Sequence, residues 1–171
     1  LQLQIPQSQP PHHDEMLFIV IHQAYELWFK LILHELQNTI QYIDDDDVLR
    51  AQHFANRVHE ILRVLVNQIH ILETMQPYEF LKFRSELMPA SGFQSVQFRE
   101  VEFLLGLKDE RYLGFFKDDP ETQVRLRAGL ATRDVRTAFH ELLARQGLGR
   151  GVVPSHSEWD RDESVREPVL D

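Results

Sequence analysis

The 171-residue chain is 43% hydrophobic and 26% charged, an ordinary globular mixture with enough apolar side chains for one domain with a real core. Its formal charge of -9 repels phosphate backbones, so nucleic acid is not an expected partner. The chain has no cysteine, which excludes disulfides, thiolate-held metals, iron–sulfur clusters and covalent haem attachment through C-x-x-C-H.

The opening residues show neither a basic n-region nor a cleavage-like run of small residues. The longest apolar run, 16–21, is far too short to span a bilayer. A soluble, cytoplasmic protein without membrane contact is expected. Residues 1–13 read as an irregular, Gln- and Pro-rich lead-in. Asp14 and Glu15 then supply the acidic first turn that favours a helix start.

From there to residue 43 no Gly or Pro intervenes. Leu17, Ile21, Ala24, Trp28, Leu31, Leu36 and Ile40 recur on a helical period, and Phe18, Tyr25, Phe29 and Ile32 add a second stripe. A helix apolar on more than one side is packed by neighbours. Asp44-Asp45-Asp46-Asp47 breaks it, as a solvated loop leading into a helix or as a cation site. A second helix is predicted over 48–74, with Phe54, Val58, Ile61, Leu65, Ile69 and Leu72 spaced as in antiparallel bundles. Pro77 suits the first turn of a third helix running through Phe80 and Phe83 to Leu87.

Pro89-Ala90-Ser91-Gly92 ends that helix, and a fourth is predicted over 94–107, buried through Val96, Phe103 and Leu104. Further on, Asp118-Asp119-Pro120 reads as a helix start and 135–146 as a helix stopped at Gly147. Residues 147–171 read as loosely ordered. No strand-period run or internal repeat is present. The predicted fold is all-α, a bundle of long antiparallel helices. Residues 1–107 form its core, and 108–171 are a divergent helical and loop part of the same domain.

Familiar catalytic motifs fail. His-Glu occurs at His34, His59 and His140, but the position four residues on is Asn38, Arg63 and Ala144, so no H-E-x-x-H site exists. Gly147-x-Gly149-x-Gly151 follows a helix where a phosphate loop follows a strand. His12-His13-Asp14-Glu15 reads better as a helix start than as a metal site, because adjacent side chains point apart.

Two polar residues stand out. His22 lies in the most apolar stretch of the first helix, four residues after Phe18. Arg84 follows Phe80 by the same interval. Each pair therefore shares a helix face. Spacing alone leaves two readings open. One is a hydrogen-bonded core histidine with an arginine that snorkels to the surface. The other is a pocket, in which rings sandwich a flat ligand, Arg84 forks a carboxylate and His22 meets an N–H or an oxygen species.

The stretch 13–30, His-Asp-Glu-Met-Leu-Phe-Ile-Val-Ile-His-Gln-Ala-Tyr-Glu-Leu-Trp-Phe-Lys, resembles the first core helix of the tryptophan 2,3-dioxygenase family. Leu72-Glu73-Thr74-Met75, Phe80, Phe83-Arg84 and Pro89-Ala90-Ser91-Gly92-Phe93-Gln94-Ser95 resemble the same family's third helix and following loop. The likeness covers residues 10–107. It implies a helical homotetramer holding haem b that inserts both atoms of O2 across the indole C2–C3 bond of L-tryptophan, giving N-formylkynurenine. It also implies that His22 is the distal catalytic histidine, bonded to the indole N–H, and that Arg84 pairs with the substrate carboxylate. Phe18 and Phe80 match ring-packing positions. Ile19, Val20 and Ile21 match the same pocket-wall segment, and Ser91 matches a serine near the haem.

The family's proximal haem histidine has no counterpart among the nine histidines, so this chain is expected to supply no metal ligand. That ligand is expected beyond Asp171, and the residues given are expected to be part of a longer protein, inactive by themselves. Two other readings stay open: a relative that oxygenates another indole, and a haem-free helical scaffold. The retained Arg84 favours a substrate with a carboxylate.

Overall fold

The computed structural model describes residues 4–87 and 94–148. All regular structure among them is helical. Helix α1 spans His13–Asp44, α2 Val48–Leu72, α3 Pro77–Phe83, α4 Val96–Leu104, α5 Pro120–Ala131 and α6 Val135–Arg145. Two 3-10 segments, Arg84–Leu87 and Glu110–Phe116, complete the order.

Helix α1 is the spine, with α2, α3, α4 and α6 all packed on it. Its two apolar stripes make that possible. Phe29, Ile32 and Leu36 meet Val58, Ile61 and Leu65 of α2 and Val101 and Leu104 of α4 in the main core. A second cluster joins Ile43 and Ala51 to Ala138 and Leu142 of α6. A third places Phe103 of α4 among Leu113, Phe116 and Leu126. Helix α1 is long and apolar enough, by length and composition, to cross a membrane. Here it is clasped by four other helices.

The four aspartates form the solvated turn leading into α2, the first of the two readings the sequence left open. Asp46 takes a left-handed φ of 56°, and the Asp46 and Asp47 amides bond back to the Ile43 and Tyr42 carbonyls, closing α1. Asp47 caps α2 through the Arg50 amide. Asp44 and Asp46 reach across to Arg133 and Arg145 and tie down α6.

Several boundaries differ from the sequence expectation. The third predicted helix tightens into a 3-10 turn after Phe83, a common ending where a proline lies shortly ahead. The fourth is shorter than predicted. Ser95 caps it through the Phe98 amide. Gly106, at φ 95°, ends it with the Leu107 amide bonded to the Glu102 carbonyl. On α2, Val58, Ile61 and Leu65 are buried as predicted, whereas Ile69 is 45% exposed because no described element covers that end. Glu15 stands in the acidic first turn of α1 as expected, and it is fully buried there. The Pro89–Gly92 break and the residues from 149 on lie outside the described residues.

Candidate functional site

The site starts from the first turns of α1, where helical spacing puts Phe18 and His22 on one face. Their rings lie 4.0 Å apart. Helix α3 crosses there and brings Phe80 to 5.6 Å and Phe83 to 6.0 Å from the Phe18 ring. Phe80 and Phe83 are edge-on to each other at 5.6 Å. Such tilted and T-shaped pairs suit the ring quadrupoles. Arg84, one turn after Phe80, holds its guanidinium carbon 5.7 Å from the Phe80 ring centre. His22 and Arg84 thus flank one aromatic wall built from two helices. The structure brings together Phe18, His22, Phe80 and Arg84.

Other residues expected at the site are placed differently. Ile19 is half-buried beside Phe18. Ile21 is turned into the protein at 6% exposure. Val20, about 200° around the helix from Phe18, is 46% exposed on the far side. Ser91 lies outside the described residues.

His22 is exposed, and its Nδ1 lies 2.7 Å from the Phe18 carbonyl oxygen. A carbonyl can only accept, so Nδ1 carries the proton and donates. In the neutral ring this leaves Nε2 as a lone-pair acceptor at the free edge. The backbone of α1 therefore selects the tautomer. Arg84 offers fixed N–H donors suited to a carboxylate. Between them lies flat hydrocarbon. The combination suits a planar aromatic molecule with an N–H near one end and a carboxylate at the other.

Three features of the site escaped the sequence reading. Phe83 is fully buried and supports both Phe18 and Phe80. Its spacing of three from Phe80 was the available signal. His12 packs its ring 6.2 Å from Phe83. Glu26, one turn after His22, accepts from the Ser95 hydroxyl at 2.6 Å and the Gln97 amide at 2.7 Å, fixing the start of α4 to α1. No local pattern announces a contact between residues 69 and 71 positions apart.

Two open clefts lie elsewhere. A cleft of about 390 Å³ sits among Leu33, Gln37, Leu104, Arg125 and Thr132, and another of about 420 Å³ beside His59, Leu62 and Val66. Neither touches the ring wall, which is open on the His22 side. Chemistry, not concavity, marks the site. Among the described residues no group of three or more His, Asp or Glu could hold a metal ion.

Fold and site together define an all-α protein with an aromatic wall between an imidazole acceptor and a guanidinium. The family model for tryptophan 2,3-dioxygenase matches residues 1–150, and the chain belongs to that family. It is 51% identical to a tryptophan 2,3-dioxygenase from a Nocardioides species, over 86% of this chain and 57% of that protein. It is 44% identical to the protein of the same name from Xanthomonas euvesicatoria, over 100% of this chain and 58% of that one. The Xanthomonas oryzae protein of that name is 45% identical over 86% of this chain and 50% of its own length. The chain thus spans between half and three-fifths of these relatives.

Proposed function

We propose that the protein of which this chain forms part is a haem-dependent dioxygenase that inserts O2 across the indole C2–C3 bond of L-tryptophan, giving N-formylkynurenine. Family membership supports the reaction class. The observation that carries the assignment to this site is the pairing of His22 and Arg84 across the Phe18–Phe80 wall.

Each residue has a definable task. Phe18 and Phe80 pack the indole and exclude water from one side of it. His22 keeps its proton on Nδ1, held by the Phe18 carbonyl, so that Nε2 accepts from the indole N–H. Arg84 forks the carboxylate and fixes the amino-acid end, which sets the angle at which the indole edge is presented. Ser91 is proposed, from the family resemblance alone, to serve near the haem.

The donor set suits the distal side of a haem: flat apolar rings and one imidazole, without competing ligands. When bound, haem supplies the activation of O2. The histidine that would ligate its iron is proposed to come from outside the described residues. The working protein is proposed to be a cytoplasmic homotetramer. Uncovered apolar side chains such as Leu27, Ile71 and Leu81 support association, each at least half exposed among the described residues.

The test is to purify the full-length protein with haem, supply L-tryptophan and O2, and identify products by mass. Formation of N-formylkynurenine is expected. Turnover of an indole lacking the carboxylate, with tryptophan untouched, would refute the assignment.

A further inference from the structure

Glu15 is fully buried, and the assigned chemistry makes no use of it. No arginine or lysine pairs with it among the described contacts. Its carboxylate instead gathers three donors from the lead-in: the Gln7 amide, the Ser8 amide at 3.3 Å, and the Ser8 hydroxyl. A buried carboxylate is costly, and an apolar side chain would anchor a passing segment at less expense. What a carboxylate does differently is to collect several N–H and O–H groups at one point and so fix the path of the backbone.

That path leads to the site. The Ser8 hydroxyl also accepts from the His12 amide at 3.1 Å, and the His12 ring stands against Phe83. Phe83 in turn touches both Phe18 and Phe80. At its other end the lead-in is tied to α1 by Gln4 Nε2, 2.6 Å from Gln23 Oε1, one residue beyond His22. The segment is therefore strapped along the turns of α1 that carry Phe18 and His22. It is held at residues 15 and 23, which share a face with residue 19.

We propose that Glu15 is a positioning residue for the ring wall, acting through Ser8, His12 and Phe83. The inference rests on the proposed function for its enzymatic consequence, though not for its structural one. In the full-length, haem-loaded protein, Glu15→Ala releases the strap and loosens the Phe83 support. The expected result is a KM for L-tryptophan raised about three- to tenfold, the size of one aromatic packing contact. The kcat of the folded fraction stays within about twofold, since the groups that meet the substrate remain. Amide exchange should quicken at residues 7–12 and 80–83 together. Glu15→Gln keeps the shape and one acceptor oxygen for the Gln7 and Ser8 amides, and should restore most of the KM and part of the protection.

An unchanged KM in Glu15→Ala, or quickened exchange confined to residues 7–12, would overturn the proposal. If Glu15→Ala does not fold, Ser8→Ala takes its place with the same readouts, and an unchanged KM there counts against the strap. Should the wild-type protein leave tryptophan untouched, the functional assignment fails by itself. The coupled exchange of 7–12 and 80–83 then decides the positioning role alone.

Discussion

Replacing Arg84 with Leu offers a sharp test of the site, because two effects of the guanidinium can be separated by the choice of ligand. Within the protein, Arg84 sits 5.7 Å from the Phe80 ring, a contact worth about 0.5–1 kcal/mol at a partly exposed position. That contact exists before and after substrate binds, so it cancels in affinity and shows only in stability. On the proposed function, the carboxylate contact exists in the complex alone. A charge-assisted hydrogen bond contributes about 1.5–3 kcal/mol, equivalent to roughly tenfold to a hundredfold in Kd. Titration of the haem-loaded full-length protein with L-tryptophan, followed in the haem absorption band, should show that weakening in Arg84→Leu. Tryptamine has the indole but no carboxylate, so its Kd should change by less than about threefold. Equal losses for both ligands would mean that Arg84 shapes the pocket without reading the carboxylate, and the site assignment would have to be abandoned.

Other consequences concern the elements around the wall. Phe83→Ala removes a fully buried ring that touches His12, Phe18 and Phe80, and should cost about 3–5 kcal/mol in urea unfolding; a loss below 1 kcal/mol would show that the rings close the gap. Burial opposes ionisation of Glu15, but the Ser8 hydroxyl and the Gln7 and Ser8 amides outweigh it, and His12 adds to them, holding the carboxyl below its ordinary value of 4.5. Its stabilisation is therefore complete above 4.5 and lost as pH falls through the lower folded value. The stability difference between wild type and Glu15→Gln should shrink on acidification below that point, and a difference unchanged between pH 7 and pH 3 would contradict the linkage. Gly129→Ala in α5 gains about 1 kcal/mol of helix propensity, but its Cβ would lie 3.2 Å from Cδ2 of Phe103. That ring is 1% exposed among Leu113, Phe116 and Leu126 and cannot easily recede, so a net loss of about 1 kcal/mol is expected, and a raised Tm would show that it does.

Much of this protein was written locally. The two apolar stripes of α1, the Pro77 start of α3 and the Gly147 stop of α6 follow from 3.6-residue periodicity and from the φ preferences of proline and glycine, which act over a few residues. Pairing Phe18 with His22, and Phe80 with Arg84, needed only the four-residue interval. The resemblance of residues 13–30 to a known family then suggested the roles that spacing had left open.

Tertiary structure decided which of those local faces meet. That Phe18 and Phe80 share one wall depends on how α3 crosses α1, and Val20 lies off that wall although its sequence neighbours suggested otherwise. The aspartates of 44–47 found their arginines 89 and 99 positions away, Asp44 with Arg133 and Asp46 with Arg145. Glu15, an ordinary first-turn acid by sequence, became a buried anchor because the lead-in folds back over it. Periodicity fixes the angle of a side chain about its own helix; what occupies the space at that angle is set by the packing of other segments, and no local pattern encodes it.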